Sequence, residues 1–125
     1  MGEYMEAIAK YPVTLFFENV EEMAPGEYEG VFGVRFDAPS IEGRFYFSVE
    51  RLGDPGCRFV LSKHGRVVAE YSRRRETHFT DTQETLLTFF LAALLEYLQL
   101  PPFAKEGELP PITTSTLKKL RKILS

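Results

Sequence analysis

"CRFVLSKHGRVVAEY", Cys57 to Tyr71, reads as two strands around a tight turn, and its register decides what kind of sheet the chain builds. A two-residue loop at His64-Gly65 sets Leu61 against Val68 and Phe59 against Glu70, which mixes apolar and charged groups on one face. A three-residue loop, Lys63 to Gly65 with Gly65 left-handed, sets Ser62 against Arg66, Leu61 against Val67, Phe59 against Ala69 and Cys57 against Tyr71. Its other face then pairs Val60 with Val68 and Arg58 with Glu70. Only this second register gives a clean apolar face and an opposite-charge cross-strand pair, so it is the one expected.

The same alternation extends upstream. "RFYFSVERL" sets Phe45, Phe47 and Val49 opposite Arg44, Tyr46, Ser48 and Glu50. "YEGVFGVRFD" sets Tyr28, Phe32, Val34 and Phe36 opposite Glu29, Val31, Arg35 and Asp37. "VTLFFENV", Val13 to Val20, is rich in β-branched and aromatic residues and completes five strands. "EEMAPGEY" is a turn centred on Pro25-Gly26, "APSIEG" a loop and "GDPG" a tight turn. Residues 3–10 form a short helix ending before Pro12.

Downstream the period changes. "TDTQETLLTFFLAALLEYLQL" predicts a helix over 82–100, with Asp81 as N-cap, Glu84 three residues on, and Pro101-Pro102 as the stop. Its polar stripe is narrow: Thr85, Thr88, Ala92, Glu96 and Gln99. An amphipathic helix on one sheet face needs an apolar stripe of about 100° or somewhat more, and this one has far more. The excess predicts a homodimer or partner groove through residues 86–98, or cover from the loop 101–112 and the C-terminal segment. "TTSTLKKLRKILS" is a short basic amphipathic helix with Leu117, Leu120 and Leu124 on one side. The expected fold is α+β: one domain over 1–125, a five-stranded antiparallel β-meander with one long helix packed on one face, plus short terminal helices. The expected core is Phe32, Val34, Phe36, Phe45, Phe47, Val49, Phe59, Leu61, Val67, Ala69, Phe90, Leu94 and Leu98.

Composition limits the function. A chain of 125 residues buries about two thirds of its unfolded surface and needs no disulfide or metal to fold. The single Cys57 excludes an internal disulfide framework and fits a reducing cytoplasm. The apolar run from Leu86 to Leu95 is too short to span a bilayer, and the glutamates of MGEYMEAIAK do not fit a signal peptide. A net charge of −3 is not that of a general nucleic-acid binder. No glycine cluster suits a phosphate loop, no His/Cys set converges for a metal, and no nucleophile sits beside a base. The expectation is therefore a non-enzymatic protein without cofactor.

Charge is divided along the chain. Residues 1–62 carry eleven acids and five bases, and residues 63–125 carry seven acids and ten bases. The acids Glu18, Glu21, Glu22, Glu27 and Glu29 predict a docking surface for a basic protein partner, as in a small inhibitor, immunity-type or adaptor protein. The alternative is nucleic-acid binding by a basic rim: Lys63, Arg66, Arg73, Arg74, Arg75, Lys118, Lys119, Arg121 and Lys122. The open sheet face argues against a wider nucleic-acid platform. Arg35, Arg44, Arg58 and Arg66 balance Glu29, Asp37, Glu50 and Glu70, and Tyr46 is its only aromatic stacker.

Overall fold

A computed structural model describes residues 12–37, 40–50, 58–72, 80–98 and 112–125. It shows an α+β fold. Strands β1 (Val13–Ala24), β2 (Glu27–Phe36), β3 (Ile41–Glu50), β4 (Arg58–Lys63) and β5 (Arg66–Ser72) precede helices α1 (Asp81–Leu98) and α2 (Thr114–Leu124). The sheet is antiparallel throughout, in the order β1-β2-β3-β4-β5. The expected short helix over 3–10, the "GDPG" turn, Cys57, Arg73 to Arg75 and the loop 101–111 lie outside the described residues.

The β4–β5 register differs from the expected one. Lys63 pairs with Arg66 and Ser62 with Val67, so the loop is the two residues His64-Gly65. Both have positive φ, 54° and 77°, the backbone of a type I′ turn whose twist matches the strands it joins. An unbroken ladder from this turn would bring Glu70 opposite Phe59. Instead the register shifts after Ser62, leaving Val68 as the extra residue of a bulge, and Leu61 faces Ala69 while Phe59 faces Tyr71. The bulge keeps both the tight turn and the apolar face. It also turns Val67, expected in the core, to solvent at 58% exposure.

Two further boundaries move. β1 runs to Ala24, so Glu21 and Glu22 are strand residues and only Pro25-Gly26 make the turn. β1 absorbs an extra residue between Glu18 and Glu21, where Asn19 adopts φ 53°, and another between Glu22 and Ala24. β3 begins at Ile41, inside the expected loop.

The inward rows are aromatic. Phe32, Val34, Phe36, Phe45, Phe47, Val49, Phe59, Leu61 and Ala69 are buried, as expected, while Tyr46 is 51% exposed between two buried phenylalanines. α1 sets Phe90 against this surface. Its ring centre lies 5.4 Å from those of Phe32 and Phe47, 5.8 Å from Phe59 and 6.3 Å from Phe17. The N-cap is Thr80 rather than Asp81: its Oγ1 accepts from Gln83 N–H at 3.2 Å and its carbonyl from Glu84 N–H at 2.9 Å. Thr80 and Gln83 stand at capping-box spacing, one residue earlier than expected. α2 is capped by Thr113, which accepts from Thr116 N–H at 3.2 Å.

The first half of the stripe expected to be polar on α1 is buried, while Glu96 is exposed. Thr85, Thr88 and Ala92 are covered, and Thr88 donates its hydroxyl to the Glu84 carbonyl at 2.7 Å, satisfying itself within the helix. Every residue from Leu86 to Leu94 is buried within one chain, while Tyr97 is 53% exposed. Part of the cover is α2, which buries Leu117 and Leu120, lays Leu124 over Gly43 and sets the Arg121 guanidinium 4.7 Å from the Phe36 ring centre. Among the described residues, no helix is long and apolar enough to cross a membrane.

Candidate functional site

The face of the sheet away from the core is organised by three arginines. Pairing and alternation turn Glu18, Glu21, Glu27, Glu29, Glu42, Glu50 and Glu70 to this face, against Arg35, Arg44 and Arg58. Among the described residues it is acidic rather than balanced. Glu18, Glu21, Glu27 and Glu42 join it, and Arg66 leaves it, because Arg66 pairs with Lys63 beyond the bulge.

Each arginine is bound to carboxylates. Arg44 forks between Glu18 at 3.1 Å and Glu42 at 2.7 Å. Arg58 lies 2.7 Å from Glu70 and 3.5 Å from Glu50. The hydrogen bond to Glu70 is the main reason its pKa rises above the ordinary arginine value. The expected Arg58–Glu70 pair is therefore present, reached diagonally because Arg58 stands opposite Ser72. Arg35 pairs with Asp37 at 3.4 Å. Such exposed pairs contribute little stability, about 0.2–1 kcal/mol each. Their effect here is on the field: they cancel charge over the middle of the face.

Charge is left at one end. Glu21 stands directly opposite Glu29 across the β1–β2 ladder, and Glu27 follows beside the turn. Like charges placed opposite each other cost stability. Tyr46 donates its hydroxyl to Glu29, and this bond, followed by burial and the charges of Glu29 and Glu21, raises the Tyr46 pKa above 10.0. Glu22 stands on the other side of the hairpin, opposite Tyr28, whose hydroxyl donates to it at 3.2 Å. Burial first, then the charge of Glu22, raises the Tyr28 pKa. The five expected acids thus divide: Glu18 is neutralised by Arg44, Glu22 lies on the helix side, and Glu21, Glu27 and Glu29 form the open end.

The face has a second aromatic that alternation alone concealed. Phe16 lies flat over Gly33, in space that a Cβ there would fill, and the Arg44 guanidinium sits 5.4 Å from its ring centre. The signal in the sequence was a glycine in mid-strand, which marks a close approach. A shallow basin beyond Arg44 is lined by Glu42, Arg44, Tyr46, Ser62, Lys63 and His64.

The proposed basic rim is only partly described. Lys63 and Arg66 flank the β4–β5 turn, with Lys63 Nζ 5.4 Å from the Phe45 ring centre. Lys118, Lys119 and Lys122 are exposed on α2, whereas Arg121 lies against Phe36. Among the described residues no group of three or more His, Cys, Asp or Glu is arranged to hold a metal ion. Comparison with protein-family models, curated proteins and solved structures found no match to this chain.

Proposed function

We propose that this chain is a non-enzymatic docking protein, an inhibitor, immunity-type or adaptor protein of the cytoplasm, whose β1–β2 hairpin presents Glu21, Glu27 and Glu29 to a basic macromolecular partner. One observation carries the reading. Among the described residues all three arginines of the open face are engaged by carboxylates, yet Glu21 and Glu29 are held face to face with no cation paired to either. A surface selected for stability alone would place a lysine or a threonine opposite Glu29. A rigid strand pair that holds carboxylates in excess concentrates negative potential and speeds encounter with a cationic surface.

The test is affinity capture from a cell extract with the wild type and with Glu21→Lys/Glu27→Lys. A partner captured by the first and lost by the second, with unchanged circular dichroism, supports the hairpin as the docking surface. A titration of single- and double-stranded nucleic acid over a salt series addresses the competing rim of Lys63, Arg66, Arg73 to Arg75 and α2. Micromolar, steeply salt-dependent binding that disappears in Arg73–Arg75→Ala would replace this proposal with the rim.

A further inference from the structure

The two edges of the sheet are built differently. β5 is a short edge with a bulge at Val68 and charges at Arg66 and Glu70, features that discourage another strand from pairing with it. β1 is long, and its first five residues, Val13 to Phe17, carry no charge, no proline and no bulge. They are all partly buried, Val13, Leu15 and Phe17 against the core, and among the described residues no strand pairs with their outer side. A flat apolar edge of this kind is a template for strand addition.

We propose that β1 pairs antiparallel with β1 of a second copy of this chain, in a register centred on Leu15. The sequence around Leu15 selects this occupant. In that register Leu15 faces Leu15 of the other copy, Thr14 faces Phe16, Val13 faces Phe17 and Glu18 faces Pro12. From Val13 to Phe17 every residue meets an uncharged one, and no two glutamates meet. Asn19, in its left-handed conformation, ends the flat stretch where Glu21 and Glu22 would otherwise extend the contact.

The helix layer fits the same symmetry. A two-fold axis perpendicular to the sheet joins the two meanders into one ten-stranded sheet and keeps both α1 helices on the same side. Beside the β1 edge, Leu15, Phe16, Phe17, Ala93, Glu96 and Tyr97 line a groove of about 180 Å³. Tyr97 is 53% exposed there, and its ring centre is 4.8 Å from that of Phe17. Pairing at Leu15 brings the two grooves side by side, so each Tyr97 gains an apolar neighbour from the other copy. The acidic hairpin tips project from opposite ends of the joined sheet and remain accessible. This assembly is independent of the docking role proposed above, and either holds without the other.

Sedimentation velocity at micromolar to submillimolar concentration is expected to give twice the 14.3 kDa of one chain. Register is read by cysteine trapping in a Cys57→Ser background. Leu15→Cys should cross-link to itself on mild oxidation, because facing Cα atoms lie about 4.5–5.5 Å apart, within disulfide range. Val13→Cys should not, since its two copies stand about 13 Å apart along the ladder. Thr14→Cys mixed with Phe16→Cys provides a second trap if Leu15→Cys folds poorly. A monomer throughout the concentration range overturns the proposal. So does a dimer in which Val13→Cys cross-links as readily as Leu15→Cys, or one in which neither the Leu15 nor the Thr14/Phe16 trap closes.

Discussion

Phe90 should be among the most costly residues of the chain to truncate. Its side chain is fully buried, and the rings of Phe17, Phe32, Phe47 and Phe59 surround it. Removing the ring returns on the order of 130 Å² of apolar surface, about 3 kcal/mol at 25 cal/mol per Å². The partly filled hole and the lost edge contacts raise the expected cost of Phe90→Ala to about 4 kcal/mol. Phe90→Leu keeps most of the volume and should cost about 1–1.5 kcal/mol. Typical stability for a domain of this length is about 6–19 kcal/mol, so both variants should still fold at room temperature. Urea denaturation followed by circular dichroism measures each cost, and the m value should not change, because the surface exposed on unfolding hardly differs. Tyr97→Ala is the internal reference: its ring touches Phe17 but is half-exposed, so its cost should be about 1 kcal/mol. If Phe90→Ala costs less than about 1.5 kcal/mol, or no more than Tyr97→Ala, the aromatic centre is not where the stability lies and the reasoning fails.

Glu21→Gln should stabilise the fold. Two carboxylates about 5 Å apart repel by about 0.8 kcal/mol in water, halved by physiological salt, so the gain is about 0.4 kcal/mol and should vanish in 1 M salt while any acidic-surface affinity falls. Thr80→Ala should cost about 1 kcal/mol in thermal or urea unfolding and Asp81→Ala clearly less, which distinguishes the observed cap from the neighbouring residue. Tyr46 has a folded pKa raised above its unfolded 10.0, so its contribution is complete below pH 10 and is lost as pH rises through the folded value. Alkaline unfolding should therefore be less steep in Tyr46→Phe, and ultraviolet titration should show one late-ionising tyrosine fewer in this variant, with Tyr28 remaining.

The strands were legible because alternation is a strong local signal: Phe45-Tyr46-Phe47 can satisfy only one face assignment. The β4–β5 register was not. Both registers that the residue pattern offers assume an unbroken ladder. A bulge at Val68 lets the turn and the core be satisfied separately, and nothing in the residue types at 67–69 marks which valine is extra. The Asp81–Glu84 spacing competed with Thr80–Gln83 one residue earlier, and both are acceptable caps by composition. On α1, Thr85 and Thr88 have the composition of a solvent stripe, but both are buried, and Thr88 satisfies its hydroxyl at the Glu84 carbonyl within the helix. The five glutamates were visible as a group, but their partition was not. It depends on Arg44 reaching Glu18 from a strand two places across the sheet.

In this meander each strand pairs only with its neighbours in sequence, so the sheet can form as the chain leaves the ribosome, one hairpin at a time. Its cover cannot. Phe32, Phe45, Phe47 and Phe59 wait for residues 81–98, and at about 5–20 residues per second that wait lasts on the order of a second or more. During it the nascent chain presents an aromatic plate to everything nearby. The pace of translation between codons 73 and 98 thus becomes part of the folding problem. Slow synonymous codons there should lower the yield of folded protein without altering a single residue, and co-expression of a hydrophobic-segment chaperone should restore it.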